Sequence, residues 1–272
     1  MKNLTFLFLI IFIYSCSTKK DSFLNREYHK LNSKYNVLFN GYEALEIGKE
    51  VLYQNKTENF YKILEIEPIT IKNEDYDKSS LIPSFRVAEE KAVKTIQKHS
   101  MRINGIQRNS QIAKAYLLLG KARYYDRRFF PAMEAFNFLL EQYSNEEVFV
   151  EAKIWREKTN LRLFNNNLAL KNLLSLSKDL KSSSKFNSLL NSSISQGFLN
   201  LKNIDSALVY LNKAIKSEGN IKVNSRLSFI QAQLFDNLGI KDSMKVVLAD
   251  LIDKKRRIPK EIWIQSKIKL IS

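Results

Sequence analysis

One cysteine, two histidines, seven glycines and four prolines are all that 272 residues hold of the types that staple, ligate or break a chain. A lone cysteine excludes a disulfide framework within the chain and leaves no second thiol to join it at a metal. His29 and His99 lie 70 residues apart, and no Gly-x-Ser-x-Gly, phosphate loop or His-Glu-x-x-His occurs. His29 flanks an apolar stripe, and His99 closes a helical segment where the dipole suits a cation, so both read as structural. The acidic pairs Glu89-Glu90 and Glu146-Glu147 point to different sides of a helix and read as solvated faces. No catalysis, metal or small-molecule substrate is expected. So few breakers predict long helices.

No apolar run is long enough to cross a membrane. The longest, Leu4 to Tyr14, follows one charge at Lys2; it falls short of the roughly 20 residues of a spanning helix and suits the roughly 7 to 15 of a secretory signal. Ile13-Tyr14-Ser15-Cys16 then resembles the lipobox of bacterial lipoproteins. That resemblance implies cleavage before Cys16, a diacylglyceryl group on its thiol and a third acyl chain on the new amino terminus, with no other cofactor; several chains together make a stable anchor. Ser17-Thr18-Lys19-Lys20 lacks the aspartate and the acidic pair associated with inner-membrane retention and surface display, which points to the periplasmic face of the outer membrane.

Acidic residues are the other shortage, 28 against 44 Lys+Arg. Such a balance can signal nucleic acid, but export argues against it. The lysines are scattered along helix-like segments, as in the Lys-, Asn- and Ile-rich usage of an AT-rich genome. Only Lys254-Lys255-Arg256-Arg257 is dense, leaving an acidic partner or anionic lipid as what this charge could meet.

What is present is helical periodicity. Residues 1–15 read as the signal, 16–22 as the lipidated tether and 23–52 as an amphipathic first helix. In that helix Leu24, Tyr28, Leu31, Tyr35, Leu38, Tyr42 and Leu45 recur in steps of four and three as one apolar face. Asp21 or Ser22 would cap it, and the tether reaches only about 20 Å, which holds the folded body near the membrane. Residues 53–84 break the pattern around ILEIEPITI, where Pro68 demotes any strand to an edge. This reads as a long insertion, with Phe60, Tyr61 and Tyr76 its candidate exposed aromatics.

From Phe85 onward the pattern is a repeat. AYLLLGKARYYDRRFFPAMEAFNFLLEQY, residues 115–143, places Tyr116, Leu119, Gly120, Tyr124, Ala132 and Phe136 in slots of the tetratricopeptide pattern. Tyr124 lies one place late, with Arg123 in the aromatic slot, and Ser144 replaces the final proline. Ala132, Ala169, Ala207 and Met244 follow at intervals of 37, 38 and 37, with Leu173, Leu211 and Leu248 in step. Phe198 and Phe235 fill the first-helix aromatic position, and Ala232 a small one. The fold class expected is all-α, a tetratricopeptide-like helical-repeat solenoid over 85–272 with a long insertion after the first helix. The chain stops within a helix opened by Ile262 and Trp263, so the repeat array reads as incomplete. First helices of such repeats line a partner-binding groove, which assigns Lys114, Lys121, Tyr124 and Tyr125 to a surface for an acidic or extended peptide.

Cys16 to Lys20, NVLFNGYEAL (Asn36 to Leu45), AEEKAVKTIQKHSM (Ala88 to Met101), the repeat around Tyr116 and AKIWREKTNLRL (Ala152 to Leu163) resemble the amino-terminal part of the PorW/SprE lipoproteins of Bacteroidetes. The resemblance implies an outer-membrane scaffold of type IX secretion and gliding motility, with the secretion ring and translocon proteins as partners. The alternative is a tetratricopeptide nutrient-binding lipoprotein beside a sugar transporter, which would need a larger aromatic-rich insertion. The anchor itself is testable: Cys16→Ala should abolish incorporation of radiolabelled fatty acid, and label persisting in that variant would refute the assignment.

Overall fold

The computed structural model describes residues 17–69, 80–144, 148–181 and 184–271. The signal segment, Cys16, Tyr76 and Glu146-Glu147 lie outside them. Two compact units are present, one from residues 1–54 and 72–153, the other from 55–71 and 154–272. The expected insertion is therefore divided, and Asn55–Ile71 belongs with the second unit.

The first unit starts with α1 (Phe23–Leu31), whose Ser22 cap accepts from the Asn25 N–H at 3.3 Å. The helix widens into a π-helical stretch, Asn32–Leu38, and narrows again as α2 (Phe39–Gln54). Next come α3 (Pro83–His99), with proline in its first turn, then α4 (Gln111–Tyr125) and α5 (Phe129–Gln142), each packed on its predecessor. Between α3 and α4 sits a hairpin, Arg102–Ile103 against Ile106–Gln107, that sequence reasoning passed over. Its Asn104-Gly105 turn has positive φ at both residues, the pairing that type I′ geometry requires.

Helix pairs fill the second unit: α6 (Phe149–Arg162, in this unit from Ile154) with α7 (Asn166–Asp179), α8 (Asn187–Asn200) with α9 (Ile204–Ser217), α10 (Ile221–Asn237) with α11 (Lys241–Asp253), then α12 (Lys260–Ile271). The fold is all-α and repetitive. Ala132, Ala169 and Ala207 are fully buried, with Met244 nearly so, and Leu173, Leu211 and Leu248 are buried a turn further on. Gly120 touches the Phe136 ring so closely that a Cβ there would collide with it. Overpacking of that kind typically costs about 1–3 kcal/mol.

The repeat is also geometric. Arg127, Phe164, Lys202 and Gly239, spaced by 37, 38 and 37, each follow a first helix and take positive φ, between 59° and 74°. The next residue's N–H returns five positions to a helical carbonyl at 2.9 Å in all four cases, from Arg128 to Arg123, Asn165 to Asn160, Asn203 to Phe198 and Ile240 to Phe235. This is the Schellman ending, which turns the chain sharply enough for the second helix to fold back.

The first helix departs from its reading. Leu38 and Leu45 are buried as expected and Tyr42 partly so, but Leu24, Tyr28, Leu31 and Tyr35 are exposed. The buried row instead runs Asn25, His29, Ser33, Val37, Gly41, Leu45 and Gly48. Steps of four drift around an α-helix, which turns every 3.6 residues. The wider π-helical turn, marked by the Phe39 N–H reaching the Lys34 carbonyl, offsets that drift and holds the row in line. Two of its polar members are satisfied by carbonyls: Asn25 donates to those of Ser17 and Lys20 at 3.1 and 3.2 Å, and Ser33 to that of His29 at 2.6 Å.

Left-handed backbone strains any residue with a Cβ. Lys202→Gly should therefore raise the urea midpoint, corresponding to roughly 0.5–1 kcal/mol once glycine's looser unfolded chain is discounted. Gly239→Ala should lower it by a similar amount.

Candidate functional site

The densest polar chemistry lies in the second unit, where side chains from the first helices of three repeats hold a non-helical stretch, residues 55–69. Arg226 and Gln233 are seven apart on α10 and so share a face. Arg226 grips the Glu58 carboxylate with two bonds of 2.6 and 2.7 Å, and donates to the Glu65 and Ile66 carbonyls at 2.6 and 3.1 Å. The Gln233 amide donates to the Phe60 and Lys62 carbonyls at 3.0 and 2.7 Å and accepts the Leu64 N–H at 3.0 Å. Gln196 of α8 accepts the Ile66 N–H at 2.9 Å. From α6, Arg162 reaches the Glu65 carboxylate at 2.7 Å and the Ile69 carbonyl at 3.1 Å, while Lys158 bonds Glu67 at 3.1 Å.

Apolar anchors accompany these bonds. Phe60 and Leu64 enter the core formed by α9 to α12, and the Phe60 ring meets Phe229 edge-on at 5.6 Å. Pro68 ends the stretch in a tight turn, with Ile69 N–H bonded to Glu67 at 2.7 Å, so no strand forms. Burial alone would raise the Glu58 carboxyl, but the hydrogen bonds and charge of Arg226, then of Lys56 at 2.9 Å, outweigh it and hold Glu58 below the ordinary carboxylate range. Burial pushes the Lys56 ammonium down, against the pull of Glu58. The arrangement holds a non-helical stretch by its backbone, by the carboxylates of Glu58, Glu65 and Glu67 and by the apolar side chains of Phe60, Leu64 and Ile69.

The residues that sequence reasoning assigned to a groove lie elsewhere and otherwise. Tyr124 is 1 % and Tyr125 4 % exposed, so the flat apolar surface expected of them is absent. Tyr125 stacks on Phe85 of α3 at 6.0 Å and Tyr124 meets Phe129 edge-on at 5.6 Å. The reason is that α2 and α3 cover this face of α4. Lys121 pairs with Glu151, and the backbone carbonyl of Lys114 accepts the Tyr42 hydroxyl at 3.2 Å. Cys16 lies outside the described residues.

Two further readings change. His29 and His99 meet, Nδ1 to Nδ1 at 3.0 Å, and burial, His29 and Lys94 push His99 below its ordinary value, against the charge that the helix dipole favours. Glu89 is not a solvated face: it accepts from Arg123 at 2.8 Å and pairs with Arg128. Glu90 is largely exposed. In the basic cluster, Lys254 bonds Asp250 at 2.6 Å and Lys255 lies over the Trp263 ring. Among the described residues no group of three or more His, Cys, Asp or Glu could hold a metal, and no helix is long and apolar enough to cross a membrane.

One signal for this hold was available in the sequence, namely Arg226 and Gln233 two turns apart on the apolar side of SRLSFIQAQLF. Arg226→Leu leaves Glu58 with Lys56 alone and takes the Arg226 donor from the Glu65 and Ile66 carbonyls, a loss of about 3 kcal/mol. Protease cleavage within residues 55–69 should then accelerate at least about tenfold. Because the Glu58 carboxyl is depressed in the folded state, its contribution is complete above the ordinary carboxylate range and disappears as pH falls through the lowered value. Protection of the stretch should thus fail on acidification and not on raising the pH from neutrality. Unchanged protection in Arg226→Leu would show that the remaining bonds from Gln233, Gln196, Arg162 and Lys158, with the apolar anchors, retain the stretch without Arg226. Compared with protein-family models and with curated proteins, the chain matches none.

Proposed function

We propose that the protein is a lipid-anchored, non-enzymatic scaffold on the periplasmic face of the outer membrane, linking the translocon of a type IX secretion system to its periplasmic ring. The observation that carries the scaffold reading is the second unit's hold on residues 55–69. First helices of successive repeats there present Arg226, Gln233 and Gln196 to the backbone of a non-helical chain, the chemistry by which repeat surfaces dock protein segments. The lipobox-like run ending at Cys16 supports attachment to a membrane, and a surface on a short tether meets membrane-embedded partners at high effective concentration. The assignment to type IX secretion rests on the resemblance of Asn36–Leu45, Ala88–Met101 and Ala152–Leu163 to the PorW/SprE lipoproteins.

Deleting the gene should block release of cargo bearing the type IX carboxy-terminal signal while the translocon is still made. Affinity purification from cross-linked envelopes should recover ring and translocon proteins. Normal secretion in the deleted strain, with a sugar transporter recovered instead, would favour nutrient binding.

A further inference from the structure

The sequence reading expected one apolar face on the first helix, and the structure divides that helix between two. One face is buried within its unit. The other carries Phe23, Leu24, Tyr28, Leu31, Tyr35 and Phe39, each between 42 % and 72 % exposed. Leu31, Tyr35 and Phe39 are four apart across the π-helical stretch, so the turn that straightens the buried row also straightens this one. From Phe23 to Phe39 the row is about 25 Å long at the helical rise.

Charge is distributed unevenly around and along it. Lys19 and Lys20 precede the helix, and Arg26, Lys30 and Lys34 follow one flank at steps of four. Asp21 pairs with Arg26 at 3.5 Å and with Arg108 at 3.1 Å, and Glu27 with Lys30 at 3.4 Å. The Lys34 ammonium bonds the Tyr35 hydroxyl at 3.1 Å and lies over that ring, an apolar stem beneath a cationic tip. On the other flank Asn32, Asn36 and Asn40 form a ladder, each amide bonded to the residue four back at 2.9 to 3.0 Å. Beyond Phe39 the exposed positions carry Glu43, Glu46 and Glu50, with Ile47 and Asn40 between and before them. An apolar strip with cations at one end and carboxylates at the other has the polarity of a helix that meets an anionic leaflet with its amino-terminal part and leaves it after Phe39.

We infer that Phe23 to Phe39 lies in the membrane interface, with Leu24, Leu31, Tyr35 and Phe39 among the acyl chains and Arg26, Lys30 and Lys34 at lipid phosphates. This rests on the lipoprotein reading, through the distance from Cys16 to Phe23: seven residue steps extend to at most about 25 Å, so acyl chains at Cys16 keep the strip against the leaflet. The lipid anchor and the helix then act as two membrane attachments in series, and together they orient the chain where a tether alone would leave it free to rotate.

The test uses the full chain in cells fed radiolabelled palmitate, with a photoreactive benzoylphenylalanine introduced singly as Leu31→benzoylphenylalanine, Phe39→benzoylphenylalanine or, as control, Val246→benzoylphenylalanine at an exposed position of the second unit. All three sites are exposed, so the fold tolerates the change. Irradiation should add one phospholipid mass at positions 31 and 39, and at least about tenfold less at 246. Protein adducts at 31 and 39, or none, while palmitate is incorporated would overturn the inference and leave the lipoprotein reading standing. Phospholipid adducts without palmitate would refute the anchor and leave the helix in the interface. Loss of both would refute both.

Discussion

Close approach of paired helices is the constraint on which everything else here depends. Two helices can fold back on each other only where a side chain is nearly missing and the intervening turn is tight. Ala132, Ala169 and Ala207 meet the first condition and the Schellman turns through Arg127, Phe164, Lys202 and Gly239 meet the second. The alanines recur at 37 and 38 residues and the turns at 37, 38 and 37, because they are two ends of one geometric requirement. Three of the four turns accept a Cβ at positive φ, which indicates that the stacking of the pairs outweighs a local cost of about 1 kcal/mol each.

Backbone outside helices has no partner of its own, and this explains where the polar side chains went. Residues 55–69 form neither helix nor sheet, yet Phe60, Leu64 and Ile69 are buried. Their buried amide and carbonyl groups need hydrogen bonds, since each one left unmade costs about 1–3 kcal/mol. Gln233, Gln196, Arg226 and Arg162 supply them from helices that would otherwise have carried apolar residues at those places. The same accounting applies to the first helix, where Asn25 and Ser33 are tolerated inside because Ser17, Lys20 and Asn109 answer them.

Basic charge has a local structure that the overall excess conceals. In the second unit Lys158, Arg162 and Arg226 are occupied by Glu67, Glu65 and Glu58. In the first, Arg123 and Arg128 converge on Glu89. From Phe23 to Phe39, by contrast, Arg26, Lys30 and Lys34 stand against Glu27 beside an exposed apolar row, the combination that suits a lipid surface.

The sequence by itself determined what depends on local spacing: the helical class, the 37- to 38-residue period, the small residues at helix crossings, a cap at Asp21 or Ser22 and the break in pattern near Tyr53. Such features follow from one helix or one turn and are written in neighbouring residues. Only the tertiary structure decided which of two faces of the first helix is buried, that Tyr124 and Tyr125 lie beneath α2 and α3, that His29 meets His99, and that residues 55–69 occupy the first helices of the second unit. Each of these pairs positions from about 40 to more than 170 residues apart, and periodicity holds no information about a partner that far along the chain. The stripe of leucines and tyrosines on the first helix shows the limit most plainly. Its apolar period was legible, but a period reports that a face avoids water and not whether protein or lipid covers it.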